Sequence, residues 1–287
     1  MLSGGSIKAV AFIGCIQYLE EHDMLSSIMT YVGSSAGAIF CFLVVMGYTS
    51  AEIAVLIKEA LKDYQDYNVD IDRILDVYEN AGIDNGEFFT QMIAKWISHK
   101  YKASDITFMD IAKLTGKNLV ICSSDIANRE EFYFSLDTTP NTSVIFALRA
   151  SIALPLIFEP VKMSDDRGMD RIFVDAGLFN NFPIDYVRKS LPRDTLGVEM
   201  TYVPSTPSKL NLMSYVNLII NAVFDKLNKK IVGETESMDI VLVSDKFNDS
   251  YCFDMSTLKF SIDSCSLFRY IDHGYDSIVD FFKSKSS

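Results

Sequence analysis

Apolar and polar positions follow two different patterns along the first 46 residues. Residues 29–32 form a short apolar run typical of a buried strand, and residues 1–3 are predicted to form the stub of another. Residues 7–21 and 35–46 carry apolar side chains three and four positions apart, which predicts helices. Because glycines separate each strand from its helix, this order predicts a parallel sheet covered by helices. The predicted inner face of the first helix is Ala9, Phe12, Ile13, Ile16 and Leu19.

The rest of the chain continues this α/β pattern around one helical segment. Residues 51–116 show helical periodicity without a convincing strand, which predicts a helical insertion packed on the sheet. Further strands are predicted at residues 118–123, 131–136, 172–174, 196–200 and 240–243, and further helices near 143–152, 210–230 and 267–282. We therefore expect a mostly parallel central sheet with helices on both faces. Since no linker interrupts the pattern, we expect one domain over residues 1–283 and a loose tail at 284–287.

The charge and hydropathy of the chain narrow its possible partners. Its 287 residues are 49% apolar and 22% charged, a balance typical of a globular protein with a sizeable core. The net charge of -12, without a basic run, argues against nucleic acid as a partner and against purely electrostatic attachment to anionic membranes. No apolar stretch has the length of a membrane span, and no signal peptide is recognisable at the start. We expect a cytoplasmic protein that contacts membranes peripherally and transiently.

The cysteines and histidines do not indicate a metal site. The five cysteines are an odd number, far apart and mostly in apolar segments, which favours buried free thiols in a reducing compartment. None of them forms a closely spaced pair with another cysteine or with a histidine, as a zinc site would require. The phosphate-binding pattern GxxxxGK[ST] is also absent, because Lys8 is not followed by Ser or Thr. We therefore expect neither a metal nor a cofactor.

A serine at the turn from the second strand into its helix is a candidate nucleophile. Gly33-Ser34-Ser35-Ala36-Gly37 has the GxSxG form, in which the serine occupies a sharp turn and the flanking glycines leave room for neighbouring backbone. The helix that begins there directs free N–H groups at the same place. A lone GxSxG match is nevertheless often accidental, since small residues are common. The strand-to-helix context is what favours Ser35 as a nucleophile.

The glycine turn at Gly4 and Gly5 is a candidate anion site. Together with Ser6 it opens a helix, so adjacent backbone N–H groups could face the oxyanion of an acyl-transfer intermediate. The alternative is an ordinary turn between a strand and a helix.

Asp175 is a candidate general base. It ends a predicted strand, and Gly177 follows two residues later, so its carboxylate is placed to project into a crevice and accept a proton from a serine hydroxyl. An aspartate at such a position more often caps a turn.

A conventional catalytic triad would need a histidine, and the order Ser35, Asp175, His273 matches that of α/β-hydrolases. However, only 34 residues precede Ser35, which is enough for one strand and one helix instead of the several strands of that fold. His273 is expected on a polar helix face, and His22 and His99 lie in charged surroundings typical of surface residues. The spacing therefore disfavours the triad.

Four blocks of the sequence together resemble the patatin-like phospholipase family. Residues 3–9 resemble its Ser-Gly-Gly-Gly-x-Lys/Arg-Gly loop, and residues 32–38 resemble its serine elbow. Residues 149–158 are similar to its Ala-Ser-x-Ala-x-Pro-x-x-Phe block, and residues 175–183 resemble its Asp-Gly-Gly-x-x-x-Asn-x-Pro stretch. Four blocks in the same order and spacing are far more specific than any one of them alone.

The resemblance implies a role for each matching residue. It implies that Ser35 is the nucleophile, that Asp175 is the base acting directly on it, and that the N–H groups of Gly4, Gly5 and Ser6 form the oxyanion hole. The substrate would be a phospholipid or another fatty-acyl ester, cleaved in the manner of a phospholipase A or lysophospholipase. The residues that support these motifs are Lys8, Gly33, Gly37, Pro155, Gly177, Asn181 and Pro183. The sequence identifies no activating protein partner.

Three departures from the family pattern favour a second hypothesis. Ser6 replaces the third loop glycine, Ala176 replaces the first glycine of the aspartate motif, and only residues 1–3 stand in place of the family's first strand. If the turns at Ser6 and Ala176 need a left-handed backbone, each substitution costs roughly 1 kcal/mol or more. A short first strand would anchor the oxyanion loop poorly. The alternative function is therefore that of a lipid-binding or regulatory protein that kept the fold and lost the chemistry.

Overall fold

The computed structural model of the chain describes residues 1–66, 77–164, 168, 170–190, 195–201, 215, 218–219, 222, 226, 238–244 and 262–286. The α-helices within these residues are α1 (Phe12–Glu21), α2 (Ala36–Val45), α3 (Ser50–Asp66), α4 (Val77–Asn80), α5 (Glu87–Tyr101), α6 (Phe108–Thr115), α7 (Val144–Ser151), α8 (Ile184–Ser190) and α9 (Ser264–Ser286). The strands are β1 (Thr30–Ser34), β2 (Gly82–Asp84), β3 (Asn118–Asp125), β4 (Glu130–Phe134), β5 (Leu156–Phe158), β6 (Val161–Ser164), β7 (Asp170–Val174), β8 (Leu196–Thr201) and β9 (Asp239–Ser244). Short 3-10 helices span Ser6–Ala11 and Ala176–Leu178.

The central sheet is parallel on one side and antiparallel on the other. β1 pairs with β3 and β8 pairs with β9, both in parallel, and Leu2 forms parallel bridges to Gly33 and to Val198 between them. On the other side, β3 pairs antiparallel with β4 and β7, and β7 pairs antiparallel with β6. The α/β fold class predicted from the sequence is confirmed, but the sheet is mixed and not mostly parallel, because β4, β6 and β7 join it by antiparallel pairing. The parallel strands are those around the candidate serine.

Helices cover both faces of this sheet. Tyr31 and Leu119 pack into the main core together with residues of α1 and α2. Val32 and Val120, the next residue in each strand, pack instead against Val187 of α8. Since successive side chains of a strand point to opposite faces, these two clusters lie on opposite sides of the sheet.

The predicted insertion at residues 51–116 contains a strand that the sequence did not predict. β2 is only three residues long and therefore too short to show an alternating pattern, and it is stabilised by parallel pairing with β5. A Cβ atom at Gly82 would lie 2.2 Å from the backbone N of Glu159, so a glycine allows this close approach. β5 and β6 were not predicted either.

The end of the chain also differs from the predicted boundaries. α9 continues to Ser286, three residues beyond the predicted end of the domain at residue 283. The helix predicted over residues 210–230 lies almost entirely outside the described residues. Among the residues that are described, no helix combines the length and the apolar character that crossing a bilayer requires. The thiols of Cys15, Cys41 and Cys122 are free and buried, that of Cys265 is free and exposed, and Cys252 lies outside the described part.

Candidate active site

Ser35 occupies a strained turn between β1 and α2. Its φ of 50° and ψ of −127° lie in a region that residues other than glycine rarely adopt. Glycine is needed on both sides of Ser35 because a side chain there would collide with neighbouring backbone. A Cβ atom at Gly37 would lie 2.3 Å from the carbonyl oxygen of Ser3, and one at Gly33 would lie 2.5 Å from the Cα of Ala38. The GxSxG spacing thus allows three backbone segments to meet at the serine.

A second serine holds this turn in place. The Ser35 N–H donates a hydrogen bond of 2.8 Å to the Oγ of Ser151, the fully buried last residue of α7. Because the Ser35 N–H is occupied by this bond, it does not face a substrate. Sequence reasoning assigned Ser151 no role, although Ser151 lies within the block at residues 149–158 that supports the family resemblance.

Asp175 contacts the Ser35 hydroxyl directly. Ser35 Oγ donates to Asp175 Oδ2 at 2.7 Å, and the other carboxylate oxygen, Oδ1, accepts from the Gly177 N–H at 2.8 Å. The backbone N–H of Asp175 also donates to the carbonyl of Ala153 at 2.8 Å, which fixes the start of the loop. One oxygen of Asp175 thus caps the turn at Ala176–Leu178, while the other accepts the hydrogen bond from the serine.

Burial raises the pKa of the Asp175 carboxyl group. The residue is only 2% exposed, and this desolvation raises its pKa to about 6, while the hydrogen bonds from Ser35 and Gly177 act in the opposite direction. At neutral pH the carboxylate is therefore mostly ionised yet much more basic than an exposed aspartate. Such a pKa suits a general base that works near pH 7.

The predicted oxyanion loop lies against Ser35 but differs in part from the prediction. A Cβ atom at Gly4 would lie 3.2 Å from the Cβ of Ser35, so the two backbones are adjacent. The Gly4 N–H donates to the carbonyl of Asn181 at 2.9 Å and is therefore occupied, which makes Gly4 a poor oxyanion donor. Within the described part of the chain, the N–H groups of Gly5 and Ser6 have no hydrogen-bond partner. Gly5 immediately precedes the 3-10 helix and Ser6 begins it, so both N–H groups remain as candidate donors.

The short first strand is firmly anchored, contrary to the expectation from the sequence. The Leu2 N–H donates to the Val32 carbonyl at 2.9 Å, and the Ser34 N–H donates to the Leu2 carbonyl at 3.2 Å. On the other side, the Ser3 N–H donates to the Val198 carbonyl at 3.1 Å. Residues 1–3 are thus hydrogen-bonded to both β1 and β8, and this pairing positions the loop that follows.

The two glycine replacements in the family motifs have different consequences. Ser6 has a φ of 48°, so a glycine there would be less strained. Ala176 lies in a 3-10 helix and is not among the residues with positive φ, so alanine is tolerated at that position. The strain expected from these replacements is therefore confined to Ser6.

His273 is not hydrogen-bonded between Asp175 and Ser35 as a triad would require. It lies on α9, is 9% exposed instead of facing solvent, and its Nε2 donates to the carbonyl of Ser244 at 2.7 Å. Asp175 is already bonded to Ser35 without an intervening imidazole. His22 and His99 are exposed, as the sequence predicted.

The remaining motif residues lie around this centre. Lys8 is buried in the 3-10 helix that follows the oxyanion loop. Pro155 lies in the loop between α7 and β5, and the buried Pro183 immediately precedes α8. In the part of the chain that the structure describes, no group of three or more His, Cys, Asp or Glu side chains is arranged to hold a metal ion.

Comparison with known proteins agrees with this architecture. The probable lipid hydrolase 463L of Invertebrate iridescent virus 6 is 27% identical over 269 residues, which cover 91% of this chain and 87% of the viral protein. The uncharacterized protein YqhO of Bacillus subtilis is 30% identical over 252 residues, which cover 79% of each chain. Among solved structures, VipD from Legionella pneumophila matches 99% of this chain and 66% of its own, with a TM-score of 0.56 and 15% identity. This last similarity concerns the fold alone.

The family model for patatin-like phospholipases matches residues 1–188, which include the Ser35 elbow, the oxyanion loop and Asp175. This match spans more than half of the 287 residues. The resemblance inferred from the four sequence blocks is therefore confirmed, and the chain belongs to the patatin-like phospholipase family.

Proposed function

We propose that this protein is a lipid acyl hydrolase of phospholipase A or lysophospholipase type, which cleaves fatty-acyl esters with Ser35 as nucleophile and Asp175 as general base. The observation that carries the proposal is the 2.7 Å hydrogen bond that Ser35 Oγ, in a strained and partly buried turn, donates to the buried Asp175 Oδ2. The family membership and the similarity to a probable lipid hydrolase support a lipid ester as the substrate.

In the first half of the reaction, Ser35 Oγ attacks the ester carbonyl carbon while its proton passes to Asp175 Oδ2. The negative charge that develops on the carbonyl oxygen is stabilised by the N–H groups of Gly5 and Ser6. Such donors are typically worth on the order of 10²–10³ in rate each. When the bond to the alcohol oxygen breaks, Asp175 returns the proton to that oxygen, and the acyl group stays on Ser35.

In the second half, a water molecule replaces the alcohol. Asp175 takes one proton from the water as its oxygen attacks the acyl carbon, and the same donors hold the second oxyanion. The bond between the acyl carbon and Ser35 Oγ then breaks, the proton returns to Ser35, and the fatty acid leaves. One carboxylate thus serves both halves, which is why no histidine is required.

The second hypothesis, a binding protein without turnover, loses part of its support. Its basis was the short first strand and the replacements at Ser6 and Ala176. The first strand is hydrogen-bonded on both sides, and Ala176 is not strained. Only the strain at Ser6 still favours it. Transient contact with a lipid surface remains part of the proposal, since the substrate would be drawn from such a surface.

Hydrolysis of a short-chain p-nitrophenyl ester and of phosphatidylcholine or lysophosphatidylcholine vesicles tests the proposal. We expect Ser35→Ala and Asp175→Asn to reduce kcat/KM at least 10³-fold, and Ser34→Ala and the exposed Asp137→Asn to stay within a few fold of wild type. The wild-type kcat/KM should fall about tenfold per pH unit below about pH 6, because Asp175 must be ionised. Wild-type protein without turnover at any pH would refute the enzyme and favour the binding protein.

The stability of Asp175→Asn provides a control for folding. Because the folded-state pKa of Asp175 is raised, the folded protein is favoured at low pH and loses that advantage as pH rises through about 6. The neutral amide removes this penalty. At pH 8 the variant should therefore unfold in urea with a free energy equal to that of wild type or higher by up to about 3 kcal/mol. If Asp175→Asn is inactive but at least as stable as the wild type, its loss of activity is due to lost chemistry and not to misfolding.

A further inference from the structure

The carbonyl of the peptide that joins Gly4 to Gly5 accepts hydrogen bonds from two side chains. The Gly4 carbonyl oxygen accepts from Ser3 Oγ at 3.0 Å and from Asn181 Nδ2 at 3.3 Å. Ser3 Oγ itself accepts from the Met200 N–H at 2.9 Å, so its own proton is left for the Gly4 carbonyl. Since that carbonyl can only accept, the nitrogen of the Asn181 amide must be the atom that faces it.

The orientation of this carbonyl determines the direction of the next N–H. No peptide bond among the described residues is cis, and in a planar trans peptide the C=O and the following N–H point in opposite directions. Two donors that hold the Gly4 carbonyl therefore direct the Gly5 N–H away from Ser3 and Asn181. Gly5 N–H is also a donor without a partner in the described part of the chain.

Asn181 is hydrogen-bonded to the N–H of Gly4 as well as to its carbonyl. Its backbone carbonyl accepts from the Gly4 N–H at 2.9 Å, while its side chain reaches the Gly4 carbonyl. The fit leaves no room for a side chain, because a Cβ atom at Gly4 would lie 2.1 Å from Asn181 Oδ1. Gly4 does not have a positive φ, so the glycine is needed for space and not for backbone conformation.

We infer that Asn181 and Ser3 are positioning residues that orient the Gly4–Gly5 peptide and thereby aim the Gly5 N–H at the oxyanion of the transition state. The inference rests on the proposed acyl hydrolase function. It also explains how the loop that carries Asp175 is coupled to the oxyanion loop, since Asn181 lies six residues after the base. Neither residue touches the reacting atoms, and each acts through the Gly4 carbonyl.

The variant Asn181→Leu tests this role because it keeps roughly the size and branching of the side chain, removes the N–H donor and adds no charge near the proposed oxyanion. A residue that merely filled space would tolerate this change. We expect kcat for ester hydrolysis to fall 10- to 100-fold, with KM within about threefold of wild type and the pH dependence near 6 unchanged. Asn181→Ala should lose at least about tenfold in kcat, and Ser3→Ala, which removes the other donor, should do the same.

Asn180→Ala is the matched control. Asn180 is the neighbouring, fully buried asparagine, and its Nδ2 donates to Tyr133 Oη at 3.1 Å instead of to the oxyanion loop. We expect this variant to keep kcat within about threefold. If the wild type is active and Asn181→Leu keeps its kcat, or if kcat falls equally in Asn181→Leu and Asn180→Ala, the positioning role alone is overturned. A wild type without turnover would instead overturn the proposed function and the positioning role with it.

Discussion

The serine elbow at residues 33–37 and the oxyanion loop at residues 3–6 lie side by side but are built in different ways. The elbow owes its shape mainly to its own glycines, which let α2 approach the backbone of residues 2 and 3. The oxyanion loop is shaped by distant residues, because its hydrogen bonds go to Asn181, Val198 and Met200. A local motif therefore predicts the elbow well and the loop only in part.

Each segment contains a serine with a strained backbone, but only in the elbow is the strain related to the proposed chemistry. Ser35 and Ser6 have nearly equal φ values of 50° and 48°, and neither is a glycine. At Ser35 the strain exposes the hydroxyl to Asp175 and is held by the bond to Ser151. Nothing in the structure explains why Ser6 should not be a glycine. A positive φ at a serine is thus tied to the proposed chemistry in the elbow alone.

The largest effect is expected from a methyl group in the elbow. In Gly37→Ala the new Cβ would lie 2.3 Å from the Ser3 carbonyl oxygen and 2.7 Å from that of Leu2, so backbone must move. We expect kcat/KM to fall at least 10²-fold and the free energy of unfolding to fall by about 3 kcal/mol. Ester hydrolysis and urea unfolding measure the two quantities.

Gly116→Ala is the control for this variant. A Cβ atom at Gly116 meets no heavy atom within 4 Å, although its φ of 69° makes alanine strained by about 1 kcal/mol. It should be slightly less stable and fully active. If Gly37→Ala behaved in the same way, the elbow would not depend on close backbone contact.

These two segments also show what the sequence allowed us to predict. The helix pattern and the parallel pairing around Ser35 follow from local periodicity and glycine spacing, whereas the pairing of Ser35 with Asp175 was predicted from the four blocks that resemble the family. The occupied N–H of Gly4 and the contact of Ser151 with Ser35 depend on residues more than 100 positions away. Short strands such as β2 form because a partner strand is present, which no local pattern reveals.

An intermediate effect is expected when the elbow loses its hydrogen bond to Ser151. Ser151→Ala leaves the partly buried N–H of Ser35 without this partner, which should cost about 1–3 kcal/mol of stability and loosen the proposed nucleophile. We expect kcat to fall about tenfold with KM nearly unchanged. Steady-state hydrolysis and the rate of Ser35 labelling by a fluorophosphonate should fall by the same factor.

Ser135→Ala offers a matched comparison for Ser151→Ala. Ser135 is equally buried, and its Oγ also accepts backbone N–H groups, those of Asp137 at 3.2 Å and Thr138 at 3.3 Å. The two variants should lose similar stability, but Ser135→Ala should keep its activity. Equal losses of kcat in both would show that Ser151 acts through general stability and not through the elbow.

The smallest effect is expected in the oxyanion loop, where strain should be removable without loss of function. In Ser6→Gly the positive φ becomes acceptable, and this gain of about 1 kcal/mol is partly offset by the greater freedom of glycine in the unfolded chain. The free energy of unfolding should therefore stay equal or rise by up to about 1 kcal/mol, with kcat within about threefold of wild type. Ser27→Gly, at an exposed serine without positive φ, should instead lose about 0.5–1 kcal/mol. A Ser6→Gly protein that loses as much as Ser27→Gly would mean that the left-handed serine carries no strain. Ser6 and Ser35 would then differ in backbone energy as well as in chemistry, although their φ values are nearly equal.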